Sequence, residues 1–369
     1  MRILLTGSDG YIGSVMGSMM HRAGYEVRGV DSLFYEECSF GRYAARLPLL
    51  RKDIRDMTAR DLSGFHAVVH LAALSNDPTG DLNPDWTDEI NHRAGVRLAH
   101  LAKDAGAERF LFASSCSIYG AAGDEMATED APLRPLTAYA VSKVRTEEGL
   151  SAMAGEGFSP VFLRNATAYG VSPRLRLDVV LNNLTAWAHC TGKVRIMSDG
   201  TPWRPLVHVE DICRAALAAL EAPRNAVHNQ AFNVGVDSEN YQVKDLAEIV
   251  RATVPGCTIE YSPTASADQR NYRVDFGKIR RVLPGFRPRW NARLGAAQLE
   301  SAFCEQTLTL DDMQGRRYTR LTQLKHLLNS GALDSTLRWK QHQPSAHDLK
   351  TTDAMPVCAA CGESPQKHA

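Results

Sequence analysis

Short apolar runs alternate with longer segments of helical spacing through the first half of the chain. RILLT (2–6), EVRGV (26–30), AVVHL (67–71), RFLFA (109–113) and PVFLR (160–164) are short and mostly apolar, as strands buried on both faces are. Between them, residues 11–24, 91–105 and 137–154 show helical spacing. Such alternation predicts a parallel sheet covered by helices on both faces. Beyond about residue 170 the pattern loosens. VSPRLRLDVVLNNLTAWAHCTGKVRI reads as a helix entering a strand, and RPLVHVEDICRAALAAL as a strand followed by a helix. KDLAEIVRATV and RLTQLKHLLNSG are amphipathic helices; in the second, Leu321, Leu324, Leu327 and Leu328 share a face. From about Lys340 onward the chain is polar without an apolar period, which predicts a disordered tail. There is no repeat of fixed period.

Composition narrows this picture only modestly. The 369 residues are 44% hydrophobic, enough for a large core in one or two domains. Lys+Arg and Asp+Glu are both 42, so charge gives no reason to expect nucleic acid or an anionic membrane as partner. No apolar run reaches the roughly 18 residues of a membrane span. The chain opens directly on a strand-like run rather than a basic, then apolar, leader. The expectation is a soluble cytoplasmic protein. The eight cysteines are scattered, and packed, reduced thiols are expected. Cys358 and Cys361 form a CxxC pair, half of a four-ligand zinc site; no metal is expected.

Candidate chemistry begins at the first strand. LLTGSDGYIGS places Gly7, Gly10 and Gly13 between that strand and the next helix. Gly7 permits a tight turn, Gly10 lets a pyrophosphate approach the backbone, and Gly13 allows close helix–sheet packing. The helix N-terminus, with Tyr11 and Ile12, offers N–H groups and partial positive charge to phosphates. Asp31 closes the second strand, where a carboxylate accepts from both ribose hydroxyls and repels a 2′-phosphate, favouring NAD over NADP. Arg28 reads as an exposed strand charge. Asp53 and Ile54 either flank the adenine or belong to an ordinary loop.

Tyr139 and Lys143 stand four residues apart in TAYAVSKVRTEE, on one face of a helix. An ammonium beside a phenol favours phenolate and lowers the tyrosine pKa toward neutrality. A phenolate can take a proton from a sugar hydroxyl as hydride leaves. Upstream, SSCSIYG (114–120) clusters Ser114, Ser115, Cys116 and Ser117 after a strand.

These motifs occur in the order TGSDGYIGS, HLAA (70–73), SSCSIYG, YAVSK, then SDGTPWRPLVHVEDI (198–212) and DQRNYRVDFGKIRRVLPGF (268–286). The series resembles the extended short-chain dehydrogenases/reductases, specifically the nucleotide-sugar epimerase/dehydratase family, over about residues 1 to 290. The resemblance implies a Rossmann-type doubly wound parallel sheet with a smaller C-terminal α/β substrate domain. It places an NAD-binding domain at 1–170 with 205–235 returning to it. A nucleotide-sugar-binding domain follows at 171–204 and 236–340, with 341–369 as a tail. NAD would contact Gly7, Gly10, Tyr11, Ile12, Gly13, Asp31, Asp53, Ile54, Leu71, Ala72, Ala73, Ser114, Tyr139 and Lys143. Ser115 would bond the reacting sugar hydroxyl beside Tyr139, and Lys143 the nicotinamide ribose. Ser75, Asn76, Ser117, Thr167 and Asn183 would line the substrate site. Arg204 and Arg270 would grip the nucleotide diphosphate, a task suited to the planar guanidinium fork. A homodimer is implied as well.

Departures from the family pattern bear on the reaction. Dehydratases of the family follow the Ser/Thr with Asp-Glu, and decarboxylases keep a Glu at the position of Ser117; here Cys116-Ser117 supply no carboxylate. Oxidation and reduction at one carbinol remain, and a 4-epimerase is the expectation. A 4-ketoreductase using NAD(P)H, or a non-catalytic NAD-binding regulator of the same fold, are the alternatives. Thr167 stands where the family often has Asn, and Asn165 where an aromatic is common, pointing to a deoxy, amino or longer-chain sugar. Cys116 is a candidate acid/base for a neighbouring carbon, since a thiol near a cation can titrate near neutrality.

Overall fold

Burial gathers the short apolar runs into one sheet. The computed structural model describes residues 1–41, 47–75, 77–262 and 271–340. Seven parallel strands stand in the order Gln230–Val234, Ser159–Asn165, Arg109–Ser115, Ala67–His70, Arg2–Thr6, Glu26–Asp31 and Leu49–Arg51. Ile3 and Leu5 face one side, packing with Met16, Met20 and the helix Val209–Glu221. Leu4 faces the other, with Leu98, Ala99 and Leu150. This is the period-2 alternation of a strand covered on both faces. The winding direction reverses between Arg2–Thr6 and Ala67–His70, which opens a crevice at the C-terminal strand ends. The fold is a Rossmann-type α/β sheet.

Three features depart from the expected elements. The helix expected at 91–105 spans Ala94–Asp104, and Asp88–Arg93 forms a π-helical turn before it. That turn presents Asn91, whose amide accepts from the Leu74 N–H at 2.8 Å and donates to the Leu74 carbonyl and the Ser142 hydroxyl. The strand Trp203–His208 does not enter the central sheet. It pairs in parallel with Thr167–Tyr169 and antiparallel with Asn240–Gln242. In the helix Arg320–Asn329, Leu324 and Leu327 of the expected leucine face are buried, but Arg320 and Gln323 share that buried face, while Leu321 and Leu328 are only half-buried.

A second apolar core joins the helices Val180–Thr191, Val243–Thr253 and Ala292–Gln306 through Leu181, Leu184, Leu246, Val250, Leu299 and Phe303. Among the described residues no helix is long and apolar enough to cross a membrane.

Candidate functional site

A cavity of about 810 Å³ opens where the central strands end. Its first wall is the glycine loop. Gly7 has φ +69°, and a Cβ there would lie 2.7 Å from the Ala72 nitrogen. A Cβ on Gly13 would overlap the Gly7 carbonyl oxygen, so the helix Tyr11–Arg22 can meet the strand this closely only with glycine at that position. No side chain caps that helix at Gly10, leaving first-turn N–H groups for a ligand. Gly10, Tyr11, Ile12 and Gly13 all line the cavity. The Tyr11 hydroxyl is used elsewhere: it donates to the Gly170 carbonyl at 2.7 Å. Ser172 donates to the Tyr11 carbonyl, and Arg174 pairs with Asp9 at 2.6 Å, both side chains buried. The segment after Gly170 is thereby stitched to the phosphate loop.

Asp31, Asp53, Ile54, Leu71, Ala72 and Ala73 form the adjoining wall. The Asp31 carboxylate accepts from the N–H groups of Asp9 at 3.0 Å and Leu33 at 2.8 Å. Burial, then the nearby Asp9 charge, push its pKa up from 3.8 to about 6. An acid whose pKa is higher folded than unfolded binds protons in the native state that the unfolded chain has released. The NAD-free protein therefore loses stability through Asp31 as pH rises from about 4 to about 6. Asp31→Asn removes this component, so the stability difference between wild type and variant in urea titrations narrows or reverses between about pH 4 and about pH 7. Asp53 is held by Arg55, which donates to both of its carboxylate oxygens.

Ser115, Tyr139 and Lys143 line one end of the cavity together. Ser115 ends the strand Arg109–Ser115, and its Oγ accepts from the Ser117 N–H at 3.1 Å. Thr137 caps the helix Ala138–Ser151 and donates to Asp77, placing Tyr139 in the first turn. Lys143 follows one turn later, its Nζ 5.5 Å from the Tyr139 ring centre, 4.6 Å from that of Phe112, and donating to the Ala113 carbonyl at 2.7 Å. Sequence spacing predicted a phenol shifted toward neutrality. In this cavity burial dominates instead: the Tyr139 pKa is pushed up to about 12, further by Asp77, while a hydrogen bond with Ser115 and the Arg176 charge pull it back. Burial lowers Lys143 to about 7, opposed by Glu147. Glu147, one turn beyond Lys143, is fastened by Arg164 at 2.7 Å and accepts from Ser114. Ser114 thus lines the cavity while its hydroxyl points to Glu147.

The remaining expected residues divide clearly. Ser75, Ser117, Thr167, Asn183 and Arg204 line the cavity. Ser75 accepts from Arg176 at 3.1 Å. The Ser117 Oγ and Asn165 Oδ1 are buried without a protein hydrogen-bond partner, so both are poised for a bound polar group. Asn76 and Arg270 lie outside the described residues, as do Cys358 and Cys361. Cys116 is a correction. It is fully buried, lies off the cavity wall, and donates to the Arg164 carbonyl at 3.1 Å. Burial pushes its thiol up, away from the thiolate, so it is packing rather than acid/base.

Asp77, in the loop 74–80 expected beside the sugar, is on the cavity wall, whereas sequence reasoning missed Tyr35, Arg176, Asp178 and Arg320, which line it too. Arg176 and Asp178 form a buried pair at 2.8 Å.

The glycine cradle, the uncapped helix start, Asp31 at its strand end and the unpartnered polar atoms fit a dinucleotide cofactor. The comparisons agree. Residues 3–235 match the model of the NAD dependent epimerase/dehydratase family. A UDP-glucose 4-epimerase of Corynebacterium glutamicum is 28% identical over 302 residues, covering 77% of this chain and 90% of the relative. UDP-glucuronic acid decarboxylase 1 of Arabidopsis thaliana is 27% identical over 328 residues, covering 85% and 72%. The solved structure of MoeE5 in complex with UDP-glucuronic acid and NAD is similar at a TM-score of 0.72 and 28% identity, covering 84% of this chain and all of that one. Relatives of such different reactions at similar identity define a scaffold and a cofactor rather than one conversion. With its glycine cradle, its Tyr139–Lys143 pair and a family match over residues 3–235, the chain belongs to the NAD-dependent epimerase/dehydratase family.

Proposed function

We propose that this chain epimerises a nucleotide sugar at C4 through a transient 4-keto sugar. One observation supports the reading above others: Ser115, Tyr139 and Lys143 share the cavity, while the two positions after Ser115 hold a core-packed thiol and a hydroxyl. Dehydration or decarboxylation would call for a carboxylate there. Tyr139 acts from its phenolate form, which the nearby Lys143 and Arg176 charges favour against burial: it takes the proton of the sugar hydroxyl and returns it to the ketone oxygen on the way back. Ser115 hydrogen-bonds the phenol and orients the sugar oxygen. Lys143, when protonated, places positive charge beside the phenol; burial lowers it to about 7 and Glu147 favours the charged form. NAD, held by the glycine loop and Asp31, would supply the two-electron acceptor for the carbinol hydride. Arg204 and Asn183 anchor the diphosphate end, which must stay fixed while the sugar presents its other face. Ser117, Asn165 and Thr167 leave small polar groups around the ring, favouring a deoxy, amino or longer-chain sugar.

The test is incubation with a panel of nucleotide sugars in deuterated water, read by NMR. Formation of a C4 epimer without solvent deuterium, and without added NADH, is the expected result. Net reduction that consumes NADH would assign a ketoreductase instead. Deuterium appearing at C3 or C5 would show enolisation, which the proposed proton path does not provide.

A further inference from the structure

The last helix and the chain after it lie against the cofactor end of the cavity. The helix Arg320–Asn329 contributes Leu324 and Leu327 to an apolar cluster with Ile54 and Leu74, joined by Leu333 and Leu337 from the following segment. Ala72, on the cavity wall, packs against the same cluster. Three further attachments are polar. The Trp339 indole donates to the Ser32 carbonyl at 2.7 Å. Arg55, already paired with Asp53, donates to the carbonyls of Thr336 at 2.7 Å and Leu337 at 3.1 Å. Gln323 donates to the Phe34 carbonyl at 3.1 Å. The segment therefore ties together the loops after the second, third and fourth strands of the glycine-loop half of the sheet.

Arg320 heads this segment. It is 5% exposed, lines the cavity, donates Nη2 to the Arg174 carbonyl at 2.8 Å and stacks 4.2 Å over the Tyr35 ring centre. Its Nη1 is buried with no hydrogen-bond partner. A buried charged donor without an acceptor is costly, and the cost is removed by a ligand oxygen, best an anionic one. Arg174, on which it rests, is the residue that grips Asp9 in the phosphate loop.

We propose that residues 320–340 complete the cofactor site, with Arg320 donating to an oxygen of the dinucleotide and the segment after it clamping the loops so that NAD stays bound through turnover. The proposal rests on the epimerase reading, which needs a resident cofactor that is regenerated each cycle. Two ligands share the chemistry Arg320 would recognise: the pyrophosphate of NAD and the diphosphate of the nucleotide sugar. Its attachment to Arg174 and Tyr35, on the glycine-loop side, assigns it to NAD.

The experiment uses the full-length protein as purified, with Arg320→Met, the conservative Arg320→Lys, and Trp339→Ala. Bound nucleotide is released by acid and quantified by chromatography, and exchange is followed with isotopically labelled NAD. UDP affinity is measured in parallel by calorimetry. Wild type is expected to retain NAD through gel filtration. Arg320→Met is expected to speed NAD exchange about 10- to 100-fold, the loss of one charge-assisted hydrogen bond. Trp339→Ala speeds it as well, and Arg320→Lys restores part of the retention. Unchanged exchange in folded Arg320→Met and Trp339→Ala, judged by circular dichroism, would overturn the proposal. So would weakened UDP binding with NAD retention intact, which would move Arg320 to the substrate side. Product identity by NMR reports on the epimerase reading separately, so either can fail alone.

Discussion

Tyr139→Phe lowers kcat about 10²- to 10⁴-fold, the usual worth of a positioned proton-transfer group, and leaves NAD content unchanged. The ring is held by the first turn of its helix, which Thr137 caps, and by burial. Removing one oxygen leaves that packing in place. The lost atom is the one that Ser115 hydrogen-bonds and that the charges of Asp77 and Arg176 act upon. The burden falls on kcat because the phenol's proton transfer is completed only as the sugar carbinol is oxidised. Steady-state rates with the substrate identified by NMR, alongside acid-released NAD, provide the check. A variant within tenfold of wild type would mean that the proton leaves by another group, and Asp77, on the same wall, would be the first to examine.

Arg174→Met destabilises the protein by roughly 3–5 kcal/mol, the cost of leaving a buried charge without its partner. Arg174 is fully buried and Asp9 5% exposed, with 2.6 Å between them. Asp31 adds a second carboxylate: Asp9 raises its pKa and Arg174 lowers it. Without the guanidinium, Asp31 is pushed higher still. Its folded pKa then stands further above the unfolded value, and stability falls as pH rises through that wider window. The deficit relative to wild type is thus larger at about pH 8 than at about pH 4. Urea titrations at both pH values measure it. Asp9→Asn combined with Arg174→Met recovers much of the loss, because the stranded charge is gone. A deficit that is small and independent of pH would show that the site relaxes to admit water.

Much of the fold was legible because local physics wrote it. Runs such as RILLT and RFLFA can satisfy their apolar surface only as buried strands, and the glycine loop needs glycine wherever backbone meets backbone. The strand Leu49–Arg51, three residues at the sheet edge, had too little apolar pattern to be seen. The buried face of Arg320–Asn329 was foreseen at Leu324 and Leu327 but not at its polar positions. A pattern of leucines assigns polar residues to solvent, whereas Arg320 and Gln323 are held inside by acceptors on the distant Arg174 and Phe34 carbonyls.

By itself the sequence determined the sheet, the phosphate loop, Asp31 at its strand end and the Tyr139–Lys143 face, since each depends on residues close along the chain. Tertiary structure alone decided which neighbours share a surface. Cys116 and Ser117 are adjacent in sequence, yet one packs in the core and the other lines the cavity. Burial, then Asp77, push the Tyr139 pKa up and outweigh the Ser115 hydrogen bond and the Arg176 charge that pull it down. Arg174 and Arg320 reached the cofactor end only through folding that brings residues more than 140 apart together. Desolvation and long-range pairing depend on the whole surrounding volume, which no local pattern encodes.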